Sequence, residues 1–109
     1  MDITVTVERS HAIVAVSGRL TAPGVPRLRS AIDDLVSSGA ARVAIDLAAT
    51  EFIDSSGIGA LIGGLKVARL AGGDLRIAAV PEAVGTVLKL TNLDRVLRAY
   101  PTAGGAFDE

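Results

Sequence analysis

The segment Asp-Ser-Ser-Gly at residues 54–57 lies between two apolar stretches with different periodicities. Before it, residues 43–47 form an apolar run typical of a buried strand, and a short link over residues 48–53 follows. After it, apolar side chains recur at helical spacing, at Ile58, Leu61, Ile62, Leu65 and Ala68. The segment is therefore predicted to lie at the N-terminus of a helix that begins near Ser56. Unpaired backbone N–H groups and the helix dipole favour an anion such as phosphate at that position.

The N-terminal part of the chain is predicted to form a hairpin and then a helix. Residues 3–8 alternate between apolar and polar side chains, which is typical of a strand with one solvated face. A tight connection at residues 9–11 leads to the apolar run at residues 13–16, predicted to be the antiparallel partner strand. A first helix is predicted from about residue 25, with Ser37-Ser38-Gly39 as its stop.

The remaining segments alternate between strands and helices. Strands are predicted at residues 42–47, 75–80 and 95–100, the second helix ends at Gly72-Gly73, and a third helix runs from Pro81-Glu82 to Leu90. The order ββαβαβαβ predicts an α/β fold with a mixed β-sheet covered by helices. An antiparallel hairpin opens this sheet, and right-handed βαβ crossovers connect its parallel strands. One domain is expected over residues 1–100, followed at residues 101–109 by a short tail or a truncated helix.

Composition excludes several classes of function. The 109 residues contain 11 basic and 12 acidic side chains, dispersed along the chain, so the basic patch expected of a nucleic-acid binder is missing. There is no cysteine and therefore no disulfide or thiol chemistry. The longest uncharged apolar stretch, residues 55–65, is shorter than the roughly 20 residues that a membrane-spanning helix needs. No signal peptide is recognisable at the N-terminus, so we expect a cytoplasmic protein without membrane insertion.

The sequence matches no catalytic or cofactor-binding motif. His11 is the only histidine, and its place in the opening hairpin predicts an ordinary surface turn residue. The serines at residues 55 and 56 do not fit the G-x-S-x-G pattern of hydrolases, and no further residue supports Asp46 and Asp54 as an acid–base pair. Neither a nucleotide-binding glycine motif nor a cluster with metal-ligand spacing is present. The sequence predicts neither an enzyme nor a cofactor.

The Asp-Ser-Ser-Gly segment has a purely structural interpretation as well as a functional one. Aspartate and serine are common helix caps, each contributing about 1 kcal/mol by accepting hydrogen bonds from the first N–H groups. The surrounding sequence adds Gly18-Arg19-Leu20 after the second strand, Ile45-Asp46-Leu47 before the segment, and Gly72-Gly73-Asp74-Leu75 at the turn into a strand. With these features the chain resembles anti-sigma factor antagonists, the stand-alone bacterial STAS-domain proteins.

The resemblance implies roles for individual residues. Ser55 is the implied phosphoacceptor, with Ser56 as the second candidate and the better-placed helix cap. Asp54 is implied to position the Ser55 hydroxyl or to contact the kinase, although a capping turn explains it equally well. Gly57 is expected to let another chain approach closely, or simply to satisfy a turn. The implied partner-binding residues are Thr21, Asp54, Ser55, Ser56, Gly57 and Ile58.

The resemblance also implies partners. The unphosphorylated protein is expected to bind an anti-sigma factor that is an ATP-dependent serine kinase, and a PP2C-type phosphatase is expected to reset the switch. Thr21 departs from the pattern, since many relatives carry aspartate there, and this leaves the partner's identity open. The alternatives are a constitutive STAS binding module in a stress-signalling or lipid/anion-transporter complex and, with less support, nucleotide binding at the N-terminus of the second helix.

Overall fold

The computed structural model describes residues 1–108 and shows one mixed β-sheet with three helices. The strands are β1 (Asp2–Val7), β2 (Ala12–Leu20), β3 (Arg42–Asp46), β4 (Thr50–Ile53), β5 (Asp74–Ala78) and β6 (Ala99–Tyr100). The helices are α1 (Val25–Ser37), α2 (Ser55–Leu70) and α3 (Glu82–Leu90). Short 3-10 turns at Ala22–Gly24 and Leu93–Arg95 complete the described elements. The predicted α/β class is confirmed.

The sheet begins with the predicted hairpin and continues with parallel strands. Its order is β1-β2-β3-β5-β6, in which β1 pairs antiparallel with β2 and the other neighbours pair in parallel. Strand β4 lies off this path and pairs in parallel with the second half of β2. The long strand β2 therefore has β3 beside its first half and β4 beside its second half, with a shift in pairing between Gly18 and Arg19.

The structure differs from the predicted order ββαβαβαβ at two places. The link at residues 48–53 contains the additional strand β4, whose burial does not alternate: Thr50 and Ile53 are buried, whereas Glu51 and Phe52 are exposed. The strand predicted at residues 95–100 is wrong over its first part, because Leu93–Arg95 forms a 3-10 turn and only Ala99–Tyr100 pairs with β5. Asn92, in the left-handed region at φ 59°, starts this turn.

The core lies between the sheet and the three helices. Because side chains alternate across a strand, Val14, Ile45 and Ile77 point to the helices and join one buried cluster with Leu61 and Leu88. Within residues 1–108, no helix combines the length and apolarity needed to cross a membrane. The helical layer covers one face of the sheet, and the C-terminal segment packs on part of the other face.

Residues 101–108 cover part of that second face. They form turns that bury Ala103, Ala106 and Phe107 against Ala44 and Ala78. The prediction of a surface turn for His11 is wrong. His11 is 5% exposed, and its Nε2 atom lies 2.7 Å from the Ala103 carbonyl oxygen. Its ring centroid is 5.1 Å from that of Phe107, so the histidine is a buried anchor for the C-terminal segment.

Candidate functional site

The predicted site lies at the turn between β4 and α2. Asp54 is the N-cap residue of α2. Asp54 has an extended backbone, and its Oδ1 atom accepts a hydrogen bond from the Gly57 amide at 3.0 Å. This is the contact by which a cap residue satisfies one of the helix's first N–H groups. The prediction of Ser56 as the cap is wrong: the helix begins one residue earlier than predicted, and Asp54 takes the role.

The two serines follow the cap as the first residues of α2, in different environments. Ser55 is exposed, whereas Ser56 is half-buried. Neither hydroxyl hydrogen-bonds to another residue within the described range 1–108. The Ser55 and Ser56 amides, like the first amides of any α-helix, lack an acceptor within the helix. The turn therefore presents one accessible hydroxyl beside backbone donors that favour a negative charge.

Gly57 and Ile58 face the interior. A Cβ atom at residue 57 would lie 2.4 Å from the Leu20 carbonyl oxygen and 2.8 Å from the Ile53 side chain. The close approach that requires glycine is thus an internal one, between the start of α2 and strand β2. Ile58 is 8% exposed and belongs to the core. Contact of either residue with a partner stays a prediction.

Thr21 lies next to the serine turn, although 33 positions separate it from Asp54 in the sequence. Leu20 and Ile53 are register partners at the ends of β2 and β4, and the Asp54 amide donates a hydrogen bond to the Leu20 carbonyl at 3.3 Å. Thr21 and Asp54 are the residues that directly follow this pair. The structure therefore brings Thr21 close to Asp54 and the serine turn, two parts of the predicted partner-binding set that are distant in sequence.

Sequence reasoning missed the side chains beside Thr21. Arg19 and Phe52 are register partners across β2 and β4, and the Arg19 Cζ atom lies 4.5 Å from the centroid of the Phe52 ring. Arg27 of α1 lines the same shallow depression as Arg19 and Thr21. The sequence predicts only a link at residues 48–53, so it gives no reason to expect Phe52 beside Arg19. The pairing of strand β4 with β2 brings the two side chains together.

The serine turn lies far from the histidine, and the described residues place no metal-ligating cluster beside it. His11 lies at the start of β2, at the opposite end of that strand from Leu20, so it cannot serve as a base for Ser55. Among residues 1–108, no cluster of three or more potential metal-ligating His, Cys, Asp or Glu side chains exists. The Asp54 carboxylate next to Ser55 already accepts the hydrogen bond of the Gly57 amide at 3.0 Å.

Comparison with known proteins identifies relatives for almost the whole chain. The model of the STAS domain matches residues 2–106. A Thermotoga maritima protein assigned as an anti-sigma factor antagonist is 34% identical over 77 residues, which cover 71% of this chain and 68% of the relative. The anti-sigma-B factor antagonist of Staphylococcus aureus is 26% identical over 93 residues, covering 85% of this chain and 86% of that protein.

A solved structure agrees with this result. The crystal structure of an anti-sigma factor antagonist from Mycobacterium paratuberculosis superposes with a TM-score of 0.84 at 28% identity. The superposition covers 96% of this chain and 89% of the other. Sequence and fold therefore lead to the same group of proteins.

Proposed function

This chain belongs to the STAS domain family, and from that membership we propose that it is an anti-sigma factor antagonist controlled by phosphorylation of Ser55. It is a regulatory binding protein and not an enzyme. In this proposal the unphosphorylated protein binds an anti-sigma factor that is also an ATP-dependent serine kinase. Binding frees the sigma factor for transcription, and the switch acts in the cytoplasm, where ATP and sigma factors are found.

The observation that carries the proposal is the accessibility of the Ser55 hydroxyl, which forms no hydrogen bond with another described residue. It is exposed at the first position of a 16-residue helix, and the capping hydrogen bond that would otherwise occupy a serine is made by Asp54. A kinase needs a hydroxyl that can reach its active site, and Ser56 is less accessible. The exposure and the free hydroxyl of Ser55 both support its assignment as the phosphoacceptor.

Phosphorylation of Ser55 would act locally. The phosphate adds about −1.5 to −2 charges and three acceptor oxygens. Within the domain, the first N–H groups and the dipole of α2 stabilise that charge. At the interface, the same group introduces bulk and negative charge next to Asp54, where a partner had contacted a hydroxyl. The complex therefore dissociates without a change of fold, and a PP2C-type phosphatase restores the binding-competent form.

Intact mass spectrometry tests the phosphoacceptor directly. The protein is incubated with ATP and each candidate anti-sigma kinase encoded in the same genome, alongside Ser55→Ala and Ser56→Ala variants. We expect a gain of about 80 Da, one phosphoryl group, in the wild type and in Ser56→Ala but not in Ser55→Ala. A gain that persists in Ser55→Ala would overturn the assignment of the site.

The same experiment separates the proposal from the constitutive binding module. Size-exclusion chromatography of each mixture, with and without ATP, shows whether modification releases the partner. Loss of the complex only when Ser55 is phosphorylated supports a switch. Complexes that form equally with ATP, without ATP and with Ser55→Ala would assign the protein to the constitutive class instead.

A further inference from the structure

An arginine stacked on an aromatic ring flanks the serine turn. The Arg19 guanidinium lies over Phe52 at 4.5 Å from the ring centroid, and both side chains are exposed, Phe52 to 42%. Stacking uses the face of the guanidinium and leaves the N–H groups at its edge available as donors. The ring thus restricts the orientation of a group whose donors still point to solvent.

A second arginine lines the same depression as Arg19 and Thr21. Arg19, Thr21 and Arg27 line a depression of about 260 Å³, together with Met1, Pro23 and Gly24. The Nη1 atom of Arg27 donates a hydrogen bond to the Met1 carbonyl at 2.8 Å, which ties this guanidinium to the rim. Two oriented cations therefore face one depression beside the site.

The residues that line the depression carry positive charge, from two arginines, and no negative side chain. Neither Arg19 nor Arg27 forms an ion pair with another of the described residues 1–108. A chain with a formal net charge of −1 thus carries a local basic patch at the end of the sheet where Ser55 is exposed.

We propose that this depression binds an aspartate or glutamate side chain of the anti-sigma factor, an inference that rests on the proposed function. The planar fork of an arginine matches a carboxylate and can hold it with two parallel hydrogen bonds. Thr21, which lines the same depression, adds no opposing charge, and its hydroxyl can donate to the same carboxylate.

The position of the depression favours a protein carboxylate over a free anion. At an exposed site an isolated ion pair is worth little, because water and salt screen it. A carboxylate on a partner that already contacts the serine turn is held at a high effective concentration. The hydrogen bond of 3.3 Å from the Asp54 amide to the Leu20 carbonyl connects the serine turn to the end of β2, next to Arg19 and Thr21. One partner surface can therefore cover both the turn and the depression.

Titration calorimetry with the kinase identified by mass spectrometry tests this inference. Arg19→Glu and Arg27→Glu are each compared with Arg9→Glu, which makes the same change of charge at an exposed arginine near the opposite end of β2. We expect Arg19→Glu and Arg27→Glu to weaken binding by about tenfold or more, and Arg9→Glu to change it by less than about threefold. An acidic residue of the kinase changed to arginine should restore binding to Arg19→Glu.

The outcomes distinguish this inference from the proposed function. Thermal unfolding of each variant verifies that it is folded. If Arg19→Glu and Arg27→Glu bind as tightly as Arg9→Glu, the carboxylate site is overturned, while phosphorylation of Ser55 by the same kinase leaves the proposed function standing. If the wild type neither binds nor is phosphorylated by any candidate kinase, the proposed function fails and this inference fails with it.

Discussion

The Asp54 carboxylate accepts the hydrogen bond of the Gly57 amide at 3.0 Å and so closes the first turn of α2 around the two serines. The residue beside the proposed phosphoacceptor therefore stabilises the helix whether or not a partner is present. Any effect of an Asp54 variant on partner binding has to be separated from this structural role.

Two variants of Asp54 make that separation. Asp54→Ala should lower the free energy of unfolding by about 1 kcal/mol, because the Gly57 amide loses its acceptor. Asp54→Asn keeps a side-chain oxygen at the cap and should stay within about 0.5 kcal/mol of the wild type, although it removes the charge. Chemical denaturation measures both. An Asp54→Ala variant as stable as the wild type would show that the cap contributes nothing.

Two glycines of α2 should respond to alanine in opposite directions. At residue 57 a Cβ atom would lie 2.4 Å from the Leu20 carbonyl oxygen, so Gly57→Ala should destabilise the fold by about 1–3 kcal/mol. A Cβ atom at residue 59 would meet no atom of another segment within 4 Å, and Gly59→Ala should stabilise the helix by roughly 0.5–1 kcal/mol. Thermal unfolding of the pair provides the comparison. If both variants changed the unfolding temperature equally and in the same direction, the close packing of Gly57 on β2 would be contradicted.

Sequence patterns located most of the fold because helices α1 and α3 and the opening hairpin carry their signals locally. The apolar spacing and the Ser37-Ser38-Gly39 stop, for example, match the observed helix Val25–Ser37. The glycines of α2 have different surroundings that no local pattern distinguishes: a Cβ atom at Gly64 would lie against Ile32 and Leu75, whereas one at Gly59 or Gly63 would face open space.

The features that the sequence did not predict depend on distant partners. Strand β4 contains the polar residue Thr50, whose buried hydroxyl donates to the Val16 carbonyl at 2.8 Å, a contact that no local pattern indicates. His11 is buried because a carbonyl 92 residues away accepts its hydrogen bond. In the site, the stacking of Arg19 on Phe52 follows from the pairing of β4 with β2, so it could not be recognised before that strand was known.

The C-terminal segment should contribute to stability through Phe107. Its side chain is 5% exposed, within 5.1 Å of the His11 ring and 4.3 Å of the Arg76 guanidinium. Phe107→Ala should therefore cost about 3 kcal/mol or more. Phe52→Ala, at the only other phenylalanine, should cost less than about 1 kcal/mol, because that ring is 42% exposed. Denaturant titration measures the stability of both variants, and a Phe107→Ala variant as stable as Phe52→Ala would show that the Phe107 ring does not hold the C-terminal segment on the sheet.

A negative charge at residue 55 should abolish partner binding while leaving the domain folded. Ser55 is the first residue of α2, where a carboxylate interacts favourably with the helix dipole by about 0.3–1 kcal/mol. Ser55→Glu should therefore unfold at the same temperature as the wild type or slightly above it, yet show no heat of binding to the anti-sigma kinase. Ser55→Ala, which removes the hydroxyl without adding charge, should still bind. Its affinity measures the contribution of the hydroxyl alone to binding. If Ser55→Glu bound as well as Ser55→Ala, negative charge at this position could not be what releases the partner, and the phosphate would have to act through its size.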